Sequence, residues 1–303
     1  MLPQSRTPVT LVVDSRCTHG EGTVWSEQSS CLYWTDIGEQ RIFQYCPATQ
    51  TTKRWPLPDS AGCLGLIDAG RLLVVMRKAI AIAHLNTSRA GQLDLTVIEH
   101  FEHHQPYTHS NDGRADRHGH FVFGTMDTHS AKESRGQIYQ FSMRHGLRTL
   151  ALPRVSIPNS ICFSPDGGTM YFCDSVTPQI FACDYDPEHA RTGRPRLFAT
   201  LDQTDAEPDG SIIDAEGYLW NAQWRAWRIV RYSPRGKVDH IIPMPIKNPT
   251  CPAFGGPQLQ TLFVISSRMD HSPDELDQSP QAGGLFAIET GISGLPESPI
   301  EMA

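Results

Sequence analysis

The feature of this sequence that most constrains its fold is a weak repeat that runs along almost the whole chain. Each unit has a turn rich in aspartate and glycine, followed by a short apolar or aromatic strand core. The first residues of successive cores are 40 to 49 residues apart, so each unit is long enough for a four-stranded sheet. The six cores occupy residues 32–34, 72–75, 121–123, 170–172, 219–220 and 262–264.

The turns and the closing strands of the units support an all-β fold. Turns such as Asp116 to Gly119 and Asp214 to Gly217 place glycine late, where a positive φ is needed, and aspartate where its carboxylate caps the turn. The strands that close the units alternate apolar and polar residues, and no long segment has helical periodicity. Six repeats without helices predict one domain, a six-bladed β-propeller over residues 1–303, because a two-sheet sandwich would not sustain this spacing.

Charge and hydropathy exclude several classes of partner. The chain carries a formal net charge of −7 and has no dense run of lysine and arginine, which disfavours nucleic acid and anionic membrane surfaces. No stretch approaches the roughly 20 apolar residues that span a bilayer. Residues 1–8 lack the apolar segment of a signal peptide, so we expect a cytoplasmic protein.

The eight cysteines do not form any C-x-x-C pair, which argues against a structural zinc site. In a reducing cytosol they are expected to remain thiols. Cys162, Cys173 and Cys183 lie in apolar, strand-like runs and are predicted to be small core residues.

The propeller directs attention to polar residues just before the inner strands, which converge around the central channel. Glu21, Asn159 and Asp209 each precede an apolar strand that runs into a repeat turn, and Asn111 occupies the equivalent place in another unit. Each supplies an oxygen ligand of the kind that hard divalent cations prefer. Any one of them alone would suit a turn or a strand cap. The interpretation as oxygen ligands therefore depends on their equivalent positions in the repeat.

Here the chain resembles the gluconolactonase/regucalcin (senescence marker protein) family of six-bladed propellers, and the resemblance covers nearly its whole length. Each motif alone is weak, but their order and spacing are specific. The motifs are Gly20-Glu21-Gly22, Asn111-Asp112-Gly113 with Asp116 and Phe123-Gly124-Thr125-Met126, Pro158-Asn159 with residues 163–167, Pro208-Asp209-Gly210 with residues 214–217, and Phe254-Gly255-Gly256.

The resemblance implies a metal-dependent enzyme that hydrolyses a small sugar-acid lactone to the free acid, with no other cofactor. One divalent ion would be held by Glu21, Asn159 and Asp209; calcium, zinc, manganese, magnesium and iron(II) all remain open. Asn111 would contact metal-bound water or substrate, and Asp209 would be the general base. This chemistry is reasonable because a metal ion polarises a lactone carbonyl and a neighbouring carboxylate accepts the proton of water.

The sequence departs from the family pattern at two substrate-binding positions, where it has His109 and His129. These histidines predict a different substrate preference within the lactonases, including a lactone with an acidic or otherwise unusual substituent. An esterase or phosphotriesterase-like propeller, or a non-catalytic calcium-binding propeller, remains the alternative.

Other residues that could carry chemistry receive structural interpretations. There is no G-x-S-x-G motif for a serine hydrolase. The histidine-rich segment 100–104 is expected to be a solvated loop, and the isolated pair Cys17 and His19 a structural one. Trp224, Arg225 and Trp227 either line the pocket or cap a blade, and the sequence does not decide between these two roles.

Overall fold

The computed structural model describes residues 7–89, 91–202 and 205–302. Within them the chain forms six antiparallel sheets arranged as a six-bladed β-propeller, as the repeat predicts. Residues 1–6, which carry most of the segment used to argue against a signal peptide, lie outside the described residues. None of the described helices is long and apolar enough to cross a membrane.

The first strand, β1 (Val9–Val13), is followed by three blades whose four strands pair in chain order. Blade 1 contains β2 (Gly20–Ser26), β3 (Cys31–Asp36), β4 (Arg41–Cys46) and β5 (Thr51–Pro56). Blade 2 contains β6 (Ala61–Asp68), β7 (Arg71–Met76), β8 (Ala79–Arg89) and β9 (Gln92–His100). Blade 3 contains β10 (Thr108–Ala115), β11 (Phe121–Asp127), β12 (Ile138–Ser142) and β13 (Gly146–Thr149).

The remaining blades vary this plan. Blade 4 has five strands: β14 (Pro158–Phe163), β15 (Thr169–Asp174), β16 (Gln179–Asp186), β17 (Arg191–Thr192) and β18 (Arg196–Thr200). Blade 5 contains β19 (Glu207–Ile213), β20 (Leu219–Trp224), β21 (Arg228–Tyr232) and β22 (Val238–Pro243). Blade 6 takes β23 (Pro249–Gly255), β24 (Thr261–Ser266) and β25 (Leu285–Glu289) from the C-terminal part, with β1 as its outermost strand. Each apolar core of the repeat lies in the second strand of its blade.

The pairing of β1 with β25 closes the ring, because it joins the two ends of the described chain in one sheet. Val9 pairs with Ile288, and Leu11 with Phe286. The inner strands β2, β6, β10, β14, β19 and β23 contact one another in a closed cycle around the axis.

The hydrophobic core lies between neighbouring blades. Successive side chains of a strand point to opposite faces of its sheet, so one strand contributes to two interfaces. In β3, Leu32 and Trp34 pack towards blade 6, whereas Tyr33 packs towards blade 2. Because both faces are buried, the second strands are continuous apolar runs, which is why they stand out in the sequence.

Two features differ from the sequence-based expectations. A short helix, α1 (Pro273–Gln278), interrupts blade 6 between β24 and β25, and its N-terminus is capped by Ser272, whose side chain accepts a hydrogen bond from the Glu275 amide. The expectation that all cysteines are thiols is wrong for Cys31 and Cys46, which form a disulfide between the neighbouring strands β3 and β4. Antiparallel pairing brings their Cα atoms to 4.3 Å.

Candidate active site

Every inner strand carries a β-bulge near its first residues. The pairing register shifts between Glu21 and Val24 in β2, and between Asn159 and Cys162 in β14. The other four inner strands shift at the corresponding place. A bulge locally changes the direction of side chains. The bulges thus place the polar residues of several blades at one end of the channel, within the inner strands themselves.

A cavity of about 500 Å³ opens at this end of the channel. It is lined by Glu21, Asn111, Asn159 and Asp209, which come from four different blades, and by His109. The structure therefore brings five of the six predicted site residues to one cavity. Their roles stay predictions.

Glu21 and Asp209 form the most unusual contact in the cavity. Both are almost fully buried, with 4% and 5% of their surface exposed, and their side chains are close enough to share a hydrogen bond. Burial raises the pKa of Glu21 well above its usual value, and the charges of Asp209 and Asp112 add to this effect. Burial also raises the pKa of Asp209, again with help from Asp112. Neither carboxylate forms a salt bridge with a basic side chain in the described part of the chain.

The hydrogen bonds around Asn159 determine which way its amide points. The Ser175 hydroxyl donates to the carbonyl oxygen of Pro208 at 2.6 Å, so it accepts the bond from Asn159 Nδ2 at 2.9 Å. Asn159 Oδ1 is consequently directed to the other side, where Asn111 Nδ2 donates to it at 3.0 Å. Asn111 Nδ2 also donates to the Pro158 carbonyl oxygen, which leaves Asn111 Oδ1 available to the cavity.

These residues fit a divalent metal ion by the chemistry of their donors. A buried pair of carboxylates without a basic partner is costly, and a bound cation would remove that cost. The oriented Oδ1 of Asn159 adds a neutral oxygen ligand, and sets of this kind suit hard cations. No group of three or more His, Cys, Asp or Glu side chains in residues 7–89, 91–202 and 205–302 is arranged to hold a metal, so the set depends on this asparagine.

The structure separates the two predicted histidines. His109 lines the cavity, and its Nδ1 lies 2.7 Å from the carbonyl oxygen of Ser110. Burial lowers its pKa, so the ring is neutral at neutral pH. His129 is not among the lining residues in the described part of the chain. It packs edge-on against Tyr107, with ring centroids 5.0 Å apart.

Several lining residues were missed or left undecided by the sequence. His19 lines the cavity, and burial together with the nearby His109 lowers its pKa to about 4. Trp224 and Arg225 also line it, whereas Trp227 is 45% exposed and does not. No sequence motif marked His19, but its position two residues before Glu21 could have indicated it.

Ion pairs organise the rim. Arg225 Nη1 lies 2.8 Å from Glu207 Oε1, and its Nη2 lies 3.1 Å from Asp270 Oδ2. Lys132 Nζ donates to the Asp127 carbonyl oxygen at 2.7 Å. All of these residues except Asp127 line the cavity. The positive charge of Arg225 is therefore paired with two neighbouring acids.

Two other sequence features lie away from this chemistry. Cys17 is completely buried, and burial raises the pKa of its thiol to about 12, which makes it a poor nucleophile. The histidines of segment 100–104 do not line the cavity, and His100 and His103 lie beside each other with ring centroids 5.1 Å apart.

Comparisons with known proteins agree with this architecture. Residues 19–268 match the model of the SMP-30/gluconolactonase/LRE-like region. The chain is 40% identical to L-arabinolactonase of Azospirillum brasilense over 289 residues, which cover 94% of this chain and 93% of the relative. It is 32% identical to 6-deoxy-6-sulfogluconolactonase of Pseudomonas putida over 281 residues, which cover 92% and 93%.

The same agreement holds for solved structures. A crystal structure of a calcium-binding protein, regucalcin, from Agrobacterium tumefaciens superposes with a TM-score of 0.90 at 29% identity. The superposition covers 97% of this chain and 98% of that one.

Proposed function

This chain belongs to the SMP-30/gluconolactonase/LRE-like family and is an enzyme that acts on lactones, and from this premise we propose that it hydrolyses an uncharged sugar lactone to the free acid with one divalent metal ion. The observation that carries the proposal is the buried contact between the carboxylates of Glu21 and Asp209 in the wall of a cavity. A cavity of about 500 Å³ suits a small ligand.

Glu21, Asn159 and Asp209 would hold the metal ion. When bound, such an ion polarises a lactone carbonyl and stabilises the negative charge that develops on its oxygen. The oxygen-only ligands favour calcium, magnesium or manganese, while zinc and iron(II) remain to be compared by experiment.

The chain's own residues would handle the proton. Water attacks the lactone carbonyl carbon, and the Asp209 carboxylate accepts one of its protons. The bond between the carbonyl carbon and the ring oxygen then breaks, and the same proton passes to the leaving oxygen, so that the products are a carboxylic acid and a hydroxyl group. Asn111 Nδ2 already donates to the Pro158 carbonyl oxygen and to Asn159 Oδ1. The group of Asn111 that remains for the water or a sugar hydroxyl is its Oδ1, which accepts a hydrogen bond.

The charges around the cavity favour an uncharged sugar over the acidic substituent considered from the sequence. Glu21, Asp209, Glu207 and Asp270 outnumber Lys132 and Arg225 among its lining residues. A divalent cation balances the excess and leaves no surplus positive charge for a substrate anion. Because Arg225 is paired with Glu207 and Asp270, a sulfonate or carboxylate would have to compete with these two carboxylates for its charge.

A pH-indicator assay on a panel of lactones tests the proposal. The panel contains L-arabinolactone, gluconolactone and 6-deoxy-6-sulfogluconolactone, and each rate is corrected for spontaneous ring opening. We expect turnover of the uncharged lactones, loss of turnover after chelation, and recovery on adding back a divalent ion. Turnover that survives complete chelation contradicts the metal mechanism, and a preference for the sulfonated lactone contradicts the charge argument.

The alternatives from the sequence give different results in the same experiment. A calcium-binding propeller without catalysis would bind calcium, measured by calorimetry, but would not open any lactone faster than the buffer does. An esterase or phosphotriesterase-like enzyme would prefer aryl esters or phosphotriesters to the sugar lactones.

A further inference from the structure

The hydroxyl group of Ser267 determines the protonation pattern of the His19 ring. Three groups lie within hydrogen-bonding distance of Ser267 Oγ: the Thr18 carbonyl oxygen at 2.9 Å, the Met269 amide nitrogen at 3.0 Å and His19 Nδ1 at 3.0 Å. A carbonyl oxygen only accepts and a backbone amide only donates. Ser267 therefore gives its single proton to Thr18, and accepts from Met269 and from His19.

With its proton given to Thr18, Ser267 accepts at the contact with His19, and His19 Nδ1 carries the hydrogen. The neutral ring then has an unprotonated Nε2, which is a hydrogen-bond acceptor. Nε2 has no hydrogen-bond partner among residues 7–89, 91–202 and 205–302. His19 lines the cavity, so this acceptor is available to a ligand there.

The position of the ring is held from several sides. The His19 amide donates to Asp36 Oδ1 at 3.1 Å, and an antiparallel bridge joins His19 to Ser267. The ring packs edge-on against Trp224, with centroids 5.5 Å apart. A ring fixed in this way loses little conformational entropy when it binds a ligand.

The cavity as a whole presents acceptors. His109 donates from Nδ1 to the Ser110 carbonyl oxygen, so its Nε2 is also unprotonated when the ring is neutral. Asn111 Oδ1 and the carboxylates add further acceptors, while Arg225 is ion-paired with Glu207 and Asp270 and Lys132 donates to the Asp127 carbonyl oxygen. Such a site is complementary to a ligand that carries several hydroxyl donors.

From this arrangement we infer that His19, oriented by Ser267, is a substrate-specificity residue whose Nε2 accepts a hydrogen bond from one hydroxyl of the sugar lactone. The inference rests on the proposed function, since it names a binding residue for that substrate. His19 would contact the substrate, whereas Ser267 would act only by fixing the tautomer.

The first test observes the tautomer directly and does not depend on activity. Two-bond nitrogen–proton correlation spectra of nitrogen-15-labelled protein, assigned with a His19→Phe variant, distinguish a protonated Nδ1 from a protonated Nε2. We expect a neutral ring protonated at Nδ1 in the wild type, and a mixture of tautomers in Ser267→Ala. A wild-type ring protonated at Nε2 overturns the inference.

The second test asks whether His19 forms a hydrogen bond with one particular hydroxyl group of the lactone. His19→Phe keeps an aromatic edge against Trp224 but removes the acceptor, and should lower kcat/KM for the preferred lactone about tenfold. For the one monodeoxy lactone that lacks the partner hydroxyl, wild type and variant should have equal kcat/KM. His118→Phe, in an exposed turn remote from the cavity, is the matched control. An equal loss on the parent lactone and on every deoxy lactone overturns the inference, because it indicates a structural effect.

Binding of L-arabinitol, a polyol that cannot be hydrolysed, separates this inference from the proposed function. If no lactone is turned over, the proposed function fails, but L-arabinitol should still bind the wild type about tenfold more tightly than His19→Phe. Equal affinities in calorimetry overturn the role of His19 even if the lactonase assay succeeds.

Discussion

The side chains of Glu21 and Asp209, from blades 1 and 5, meet in the central channel closely enough to share a hydrogen bond. Both groups are buried, and no basic side chain in the described residues pairs with either. Two carboxylates in such a place destabilise the fold unless a proton or a cation lies between them. Their contact therefore affects the stability of the fold, and under the proposed function it would join metal binding and catalysis to stability in one pair of residues.

Replacing Asp209 by asparagine should separate activity from stability. Asp209→Asn keeps the shape of the side chain but removes one charge and the proposed base, so kcat/KM should fall by about 10²–10⁴-fold. The metal-free variant should be more stable than the metal-free wild type by roughly 1–3 kcal/mol, because the carboxylate pair is gone. Urea unfolding in chelator measures this difference. Glu27→Gln, in an exposed turn of blade 1, is the control and should change neither quantity.

The metal-free protein should lose stability as the pH rises. Burial raises the pKa values of Glu21, Asp112 and Asp209 in the folded state, so the folded state binds more protons than the unfolded state between the usual carboxyl pKa and the raised one. Their stabilising contribution is thus present at low pH and disappears as the pH passes through the raised values.

Thermal unfolding in chelator from about pH 5 to about pH 8 checks this dependence. Asp209→Asn should show a smaller decrease in melting temperature, and saturating metal should also reduce it. The lowered pKa values of His19 and His109 act in the opposite direction below the ordinary histidine pKa, so the comparison with Asp209→Asn decides the matter. A decrease with pH that is no larger in the metal-free wild type than in Asp209→Asn contradicts the raised carboxyl pKa values.

Ser160 occupies a left-handed backbone conformation at the bulge of β14, with φ of 59°. The corresponding residue at the bulge of β2 is Gly22, with φ of 60°. The Ser160 hydroxyl donates to the Asp209 carbonyl oxygen at 2.6 Å. Both Ser160→Ala and Ser160→Gly lose this bond, but only alanine keeps a Cβ in the strained conformation. We expect alanine to be less stable than glycine by about 1 kcal/mol in urea unfolding. Ser26 does not have a positive φ, so there the alanine variant should be more stable than the glycine variant.

The disulfide between Cys31 and Cys46 should be measurable by thiol counting. Unfolded but unreduced protein should titrate only the other six cysteines. Reduction should lower the free energy of unfolding by up to about 3 kcal/mol, since the bond closes a segment with a sequence separation of 15. A Cys46→Ser variant should be insensitive to reductant. Eight titratable thiols in unreduced protein would contradict the bond.

The sequence predicted the blades because their signals are local. The second strands are buried on both faces, so cores such as 72–75 and 121–123 are apolar without interruption, and turn residues such as Asp214 and Gly217 mark their spacing. The same spacing aligned Glu21, Asn111, Asn159 and Asp209 at equivalent places. A repeat fixes which positions correspond, and in a closed ring corresponding positions lie near one axis.

Contacts between distant residues depended on the tertiary structure. The residues of β1 do not indicate their partner, and only closure of the ring pairs Val9 with Ile288. The sequence pattern treated His109 and His129 alike, yet only His109 lines the cavity. His129 lies on the loop after β11, and its side chain packs against Tyr107, just before β10.

By itself, the sequence determined the number of blades, the family and the residues able to supply oxygen ligands, because these depend on residue type and spacing. The tertiary structure decided that Glu21 and Asp209 touch, that Ser175 and Asn111 orient the Asn159 amide, and that His19 lines the cavity. These outcomes depend on bulge geometry and on hydrogen bonds such as those of Ser175 and Ser267, which join segments from different blades and leave no periodic trace along the chain.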